Sequence, residues 1–430
     1  MAQYTVSSDS VITSILTPDD QTFITCGGTN ISPKAGAWAN FNVGTSSFKY
    51  IFNSKDFSLT KPSPIVTGYS ASATAPTTIK QFLYNGVGIE YVCGQFSLTT
   101  PTRNNIMYFN PKDTATTKIA SFGSLNISYT GTNTTVNCMS PFANKNYTKI
   151  YIAGSFTTAS ITNGPTTTTS IGRNMARLNV LTTTSWSIDT TFNTTGSIID
   201  DANTIINCMI LNDNNILYVG GSNGSNCLFV NYNNGIWTDL LGASYTGSIN
   251  ALELVSGKKK IAIGGKFVSI ATATNCNNIV LYNINNNSWE PMNGGITTVP
   301  ADPIYPDPQV FAITYIQSIN TLWVGGYFVN GGGQERNSIA TYLLDNAAWG
   351  SVVSSGSTTI GLKRDTGVDA PGVVYCLSKK APIDTGNIIV GGSFRINASN
   401  TNELLYNLIK ITTASPAVNK STKYNIKSLG

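Results

Sequence analysis

The chain has no histidine, and only 11% of its 430 residues are charged. The missing histidine excludes Ser-His-Asp and Cys-His catalysis, histidine-ligated zinc, copper or haem iron, and a histidine pH switch. Charge is too thin for a nucleic-acid binder: 26 Lys and Arg stand against 21 Asp and Glu, a net of +5, whereas phosphate binding needs clustered cations. No apolar run reaches the roughly 18 residues of a membrane-spanning helix. None of the seven cysteines stands at CxxC spacing, so zinc ribbons and thioredoxin-type redox sites find no support, and the odd count fits a reducing compartment. Met1–Thr5 shows neither a basic nor an apolar leader region, so the expectation is a protein not secreted by a signal peptide, housed in a cell or a virion. The N-x-S/T triplets at Asn133, Asn146, Asn193, Asn223 and Asn397 read as chance products of composition.

Asn and Thr together fill nearly a quarter of the chain, and the sequence is organised by a repeat. Two or three apolar residues, a small residue, Gly, any residue and often Phe recur seven times, as in Tyr91-Val92-Cys93-Gly94-Gln95-Phe96 and Ile389-Val390-Gly391-Gly392-Ser393-Phe394. The aligned glycines are Gly27, Gly94, Gly154, Gly221, Gly265, Gly326 and Gly392, at intervals of 44 to 67 residues. Before each glycine lies a short apolar segment with a small residue inside it, such as Val136-Asn137-Cys138-Met139, Ile206-Asn207-Cys208-Met209 or Ile249-Asn250-Ala251-Leu252. After it comes a third segment, often ending in an aromatic residue and Asn, then a fourth anchored by Trp186, Trp237, Trp289 or Trp349, with Phe48 in the first unit.

Four short β-type segments parted by Asn, Gly, Asp and Ser turns are the pattern of antiparallel sheets. Units of four strands repeated seven times predict a β-propeller of seven four-stranded blades, or six with one irregular unit, in a single domain over 1–430. The units span approximately 8–60, 77–125, 134–190, 204–240, 247–292, 308–352 and 372–430. Cys138, Cys208, Ala251, Ala312 and Cys376 share one position, expected in the first, innermost strand where only small side chains fit. The glycines are expected to end the second strand, where close approach or positive φ excludes a Cβ. The tryptophans are expected to pack between blades. Either Met1–Ser7 or residues around Tyr424–Leu429 would supply the last outer strand.

The apolar-apolar-Gly-Gly, Tyr, Trp succession resembles the Kelch repeat. Val219-Gly220-Gly221 with Tyr232 and Trp237, Gly264-Gly265 with Tyr282 and Trp289, and Gly325-Gly326 with Tyr342 and Trp349 carry the likeness. The G-G-x-F form is similar to the Kelch-like propellers of fungal cortical cell-polarity marker proteins. Units 1, 2 and 7 depart in lacking the Trp, and unit 2 has Cys93 in place of the first Gly. The resemblance implies the propeller fold and says little about a ligand. Galactose-oxidase-like copper chemistry needs histidine and is excluded; sialidase-type propellers need more Arg and an S-x-D-x-G-x-x-W box that is absent, and the tryptophan–aspartate repeat needs Gly-His.

Other candidate groups have plain structural readings. The recurring cysteines read as small core residues. Asp200-Asp201, and Asp302 with Asp307, read as turn acids rather than a calcium site. Lys258-Lys259-Lys260 reads as a solvated hairpin tip, and the Thr-rich stretch 157–170 as a long exposed loop. Proline-bearing insertions at 61–76 and 295–309 join units. Pro303, Tyr305 and Pro306 in the second form the candidate partner-contact loop. No catalytic, metal or cofactor residue is expected. The leading expectation is a non-enzymatic structural or protein–protein interaction module within a larger assembly. Asn and Ile richness suggests an AT-biased genome, such as that of a large DNA virus, and a capsid-associated role. The alternative expectation is a carbohydrate-binding or attachment propeller.

Overall fold

The computed structural model describes residues 148–163, 165–180, 186–299 and 305–352 without a break, together with strands and short stretches elsewhere. The described residues are all-β, with no α-helix and one 3-10 turn at Gln317–Ile319. They form nine open antiparallel sheets, six of four strands and three of three. Seven of these sheets each fall inside one sequence unit, numbered here 1 to 7 in chain order. Each is a meander with its first strand at one edge, as in Thr204–Leu211, Leu217–Asn223, Asn226–Asn233 and Ile236–Asp239 of sheet 4. Sheet 2 has three described strands. The outer strand of sheet 7 is Tyr424–Lys427, the second of the two expected sources; Met1–Ser7 lies outside the described residues.

The first strands are Val11–Leu16, Thr78–Tyr84, Thr135–Pro141, Thr204–Leu211, Ser248–Val255, Gln309–Ile316 and Val373–Lys379. Those of successive sheets lie against one another, and the seventh also meets the first. The core lies between sheets rather than within one. One apolar cluster joins Ala251, Ala262 and Leu281 of sheet 5 to Val310, Leu322 and Val324 of sheet 6. Others join sheet 3 to 4, 4 to 5 and 6 to 7. Full burial of each such aliphatic or aromatic side chain contributes about 1.5–3 kcal/mol.

The Gly-Gly pair divides its labour. A Cβ on Gly220 would come within 2.6 Å of Ile249 in the next sheet, and Gly264 and Gly325 face Val310 and Val374 in the same way. The second glycine meets its own sheet. A Cβ on Gly221 would fall 2.1 Å from the carbonyl oxygen of Ile205 in the first strand, as on Gly154, Gly265, Gly326 and Gly392 with their counterparts. That carbonyl intrudes because the first strand carries a β-bulge, the register skipping a residue between Ile206 and Cys208. A skip occurs at the same place in all seven first strands, and in sheet 1 the glycine in this register is Gly28 rather than Gly27. The glycines therefore sit inside the second strand, not at its end, and close approach rather than positive φ excludes the side chain.

A second repeated device precedes the third strand. Asn174 and Asn278 hold φ of 62° and 68°, which Asn tolerates better than most residues. The Asn278 carbonyl accepts from Gly265 N–H, its Oδ1 accepts from Phe267 N–H and its Nδ2 donates to Ile296 O. The Gly-x-Phe motif is thereby clamped to the start of the third strand, and Phe267, Phe328 and Phe394 are buried. Ser338 fills this position in sheet 6, with Gly326 N–H donating to its carbonyl. The tryptophans bridge sheets: Trp237 lies against Tyr232 and Phe192 with Nε1 on Asn193 O, Trp289 against Phe229, and Trp349 Nε1 on Met292 O.

Sheet 3 contains a buried ion cluster. Asp189 accepts from Arg177 Nε at 2.9 Å and Lys149 Nζ at 2.8 Å, and Arg177 lies over the rings of Tyr151 and Phe192. Burial opposes ionisation of Asp189, but bonds from Lys149, Thr191 and Arg177 outweigh it and hold the carboxyl well below the usual carboxylate range.

Two outcomes follow for stability. Gly221→Ala should cost about 1–3 kcal/mol through overpacking against the bulge, read as a lowered urea midpoint. Asp189→Ala should cost about 3–5 kcal/mol by leaving Arg177 buried without its partner. Because Asp189 titrates lower in the folded than in the unfolded state, its contribution is full above the unfolded value of about 3.9 and is lost as pH falls through the folded one. Urea melts from neutral to acid pH should show this loss in the wild type, and Asp189→Ala should lack it.

Candidate functional site

The bulge gives each first strand one residue without a partner in the ladder. From sheet 2 to sheet 7 these are Lys80, Asn137, Asn207, Asn250, Phe311 and Tyr375. Three consecutive asparagines act alike. Asn137 Nδ2 donates to Ile206 O at 2.9 Å, Asn207 Nδ2 to Ile249 O at 3.1 Å and Asn250 Nδ2 to Val310 O at 3.3 Å. Each acceptor is the residue just before the next sheet's bulge, so the bulges stand at one level across neighbouring sheets.

At sheets 6 and 7 aromatic rings replace the amides. Phe311 and Tyr375 lie 5.3 Å apart between centroids, and Tyr305 packs on Phe311 and Tyr327 at 5.8 and 5.2 Å. The Tyr305 hydroxyl is hydrogen-bonded to that of Tyr375. Lys80 is the sole charged residue among the six. It is exposed, yet surrounding protein lowers its pKa through desolvation, against a smaller opposing effect of Cys93. The level thus offers amides, aromatic faces and one ammonium, which suits hydrogen bonding and stacking rather than acid–base chemistry.

A charged pair sits toward the other end of the first strands. Glu253 Oε1 accepts from Tyr315 N–H at 2.9 Å and lies 3.8 Å from Lys379 Nζ, which itself donates to Tyr315 O. Burial raises the Glu253 pKa, with Lys379 opposing it. Five of the thiols are quiet. Burial pushes Cys227 up to about 12 and Cys276 to about 11, and raises Cys93, Cys138 and Cys208 as well, so they stay protonated near neutrality.

The other residues singled out from the sequence fall as follows. Tyr305 is half-buried and held by its hydroxyl and ring contacts, Pro306 is exposed, and Pro303 and Asp302 lie outside the described residues. Asp307 pairs with Lys266 at 2.7 Å. Asp200 accepts from the Arg173 and Gly196 N–H groups, and Asp201 from Asn203 N–H. Among the described residues no group of three or more Cys, Asp and Glu could hold a metal ion. Lys259, at φ 51°, lies in the tight turn between the first two strands of sheet 5, and Lys258 is exposed. The asparagines of the bulge and of the third-strand clamp are absent from the sequence-based selection. Their signal is nonetheless present, as Asn before the small residue in units 3, 4 and 5 and before the third segment at Asn105, Asn174 and Asn278.

Asn207→Leu keeps the bulk but leaves the Ile249 carbonyl without its donor, at a cost of about 1–3 kcal/mol, measurable by urea unfolding. The buried thiols should resist a disulfide-exchange reagent in the native protein and react once it is unfolded.

No family model and no curated protein matches the chain. Among solved structures it is similar to two of the extracellular domain of BT4673 from B. thetaiotaomicron, described as a one component system in one and a hybrid two component system in the other. Each is 11% identical, with TM-scores of 0.52 and 0.51, over 96% and 95% of this chain but 40% and 39% of theirs. The chain spans about two fifths of the length of those chains, and at this identity the likeness concerns the fold alone.

Proposed function

We propose that the seven units close into a Kelch-like β-propeller of seven blades, and that this ring is a non-enzymatic module binding other proteins within a larger assembly. The observation that carries the reading is the cyclic order of the first strands, each against the next and the seventh against the first, with a bulge at one place in all of them. A radial stack of small sheets that bury their faces on one another is the propeller solution to exposed edges.

One end of the ring is the docking end in this reading. The connections between sheets and those between second and third strands both emerge at the start of the first strands. Of the five exposed large hydrophobic residues among the described ones, Ile171, Ile198, Ile205 and Val268 belong to this end, and Ile236 to the other. The packed rings of Tyr305, Phe311 and Tyr375 belong to it too. Apolar residues gathered at one end of a sparsely charged molecule fit a protein partner. The Asn and Ile content fits an AT-rich genome, and the assembly proposed is a large DNA virus particle.

Two measurements test this. Electron microscopy of the purified chain should give ring-shaped averages with seven lobes; an elongated particle overturns the blade reading. A photo-crosslinking residue at position 205 or 268 should capture neighbouring proteins in purified particles, and one at 236 should not. Equal capture at all three positions, or absence of the chain from particles, overturns the docking reading.

A further inference from the structure

Between the second and third strands of sheet 3 the chain inserts two strands, Thr158–Asn163 and Thr166–Thr169, which form a separate three-stranded sheet with Asn126–Thr130. Its two faces differ in chemistry. Ala159 and Ile161 are buried on the inner face, and Thr168 Oγ1 there accepts from Ile188 N–H of sheet 3 at 3.2 Å.

The outer face is a ladder of hydroxyls. Thr158, Ser160 and Thr162 alternate along the central strand, and the register sets them against Thr130 on one side and Thr169 and Thr167 on the other. The cross-strand hydroxyl pairs are Thr130–Thr158 at 2.8 Å, Ser160–Thr169 at 3.0 Å and Thr162–Thr167 at 3.0 Å, all exposed. None of the described side chains on this face is ionisable, aromatic or aliphatic.

We propose that this hydroxyl face is a binding surface for a neutral polysaccharide. Each hydroxyl has one donor and two acceptor sites, and the ladder bond uses one of these capacities, leaving the rest directed at a ligand. The threonines are β-branched and stiff at χ1, and their partners fix them further, so little rotamer freedom is lost on binding. Spacings of about 4.8 Å between strands and about 6.7 Å between alternate residues set out a regular polar lattice. An apolar partner would leave one hydroxyl proton of each pair without an acceptor, at about 1–3 kcal/mol per pair. Nucleic acid would need cations. A densely hydroxylated, uncharged chain satisfies both requirements. The inference stands apart from the protein-docking end and does not rest on it.

The test is retention of the full chain on insoluble neutral polysaccharides (cellulose, chitin and mannan), with an anionic polysaccharide as comparison. The expected result is retention on at least one neutral polymer, undiminished at about 1 M salt, where the Debye length is about 3 Å. Replacing Thr158, Thr162, Thr167 and Thr169 together by Val, which keeps shape and β-propensity, should reduce retention at least tenfold with the circular-dichroism spectrum unchanged. The companion with Ser at the same four positions should retain binding. Ile205→Ser with Val268→Ser, which alters the docking end, should leave it unchanged. No retention on any neutral polymer, retention only on the anionic one, undiminished retention by a folded Val variant, or loss in the Ser variant would each overturn the proposal.

Discussion

The structure depends on a two-against-one pairing at the start of each sheet. A bulge in the first strand thrusts a carbonyl toward the second, and glycine opposite is the residue that lets it approach. This contact does more than tolerate an irregularity. It frees one side chain per sheet from the ladder, and in sheets 3, 4 and 5 that side chain is an asparagine reaching the backbone of the next sheet. A local feature of one hairpin thereby sets the height of its neighbour. The first glycine of the pair acts in the same direction, because the aliphatic residue before the next bulge packs where its side chain would be.

Sheet-to-sheet packing supplies the apolar term. Trp186 and Trp289 cover Tyr91 and Phe229 of the preceding units, and Phe192 sits among Tyr151, Tyr232 and Trp237. Among the described residues, sheets 4, 5 and 6 each bury apolar side chains on two neighbours, so none of these three has a complete core of its own. Unfolding should therefore be cooperative across units. The charges that are buried follow the same economy: the Arg177–Asp189 pair is enclosed by rings and further bonds from Lys149 and Thr191.

Much of this was legible in the sequence, and the reasons are specific. The unit boundaries enclose one sheet each because the repeat rests on residue types with few substitutes: Gly where a carbonyl intrudes, Phe where the clamp closes, Trp where sheets meet. The bulge was not legible, because one unpaired residue in a strand leaves the apolar alternation nearly intact. Asn137, Asn207 and Asn250 were in plain view, but in a chain rich in Asn they look like turn filler, and their role is set by a neighbouring sheet. The Thr-rich stretch read as a loop for a similar reason. Threonine alternates with threonine there, so no hydrophobic period marks the strands, and only pairing with Asn126–Thr130 gives them a sheet. From the sequence Tyr305 reads as a partner contact in an inter-unit loop, since nothing local foretells a hydroxyl bond to Tyr375, 70 residues away.

The connection between second and third strands has a further consequence. In sheet 3 it holds two extra strands, and in sheet 6 two shorter ones, Asn330–Gly331 and Gln334–Glu335. In both cases the Gly-x-Phe clamp closes behind the insertion, with Asn174 or Ser338 receiving the chain as it returns. The clamp makes this connection a splice port. New sequence can enter and leave there while the bulge, the glycine pair and the sheet-to-sheet contacts go unaltered, so the outline of the molecule can diversify one unit at a time while its frame stays the same.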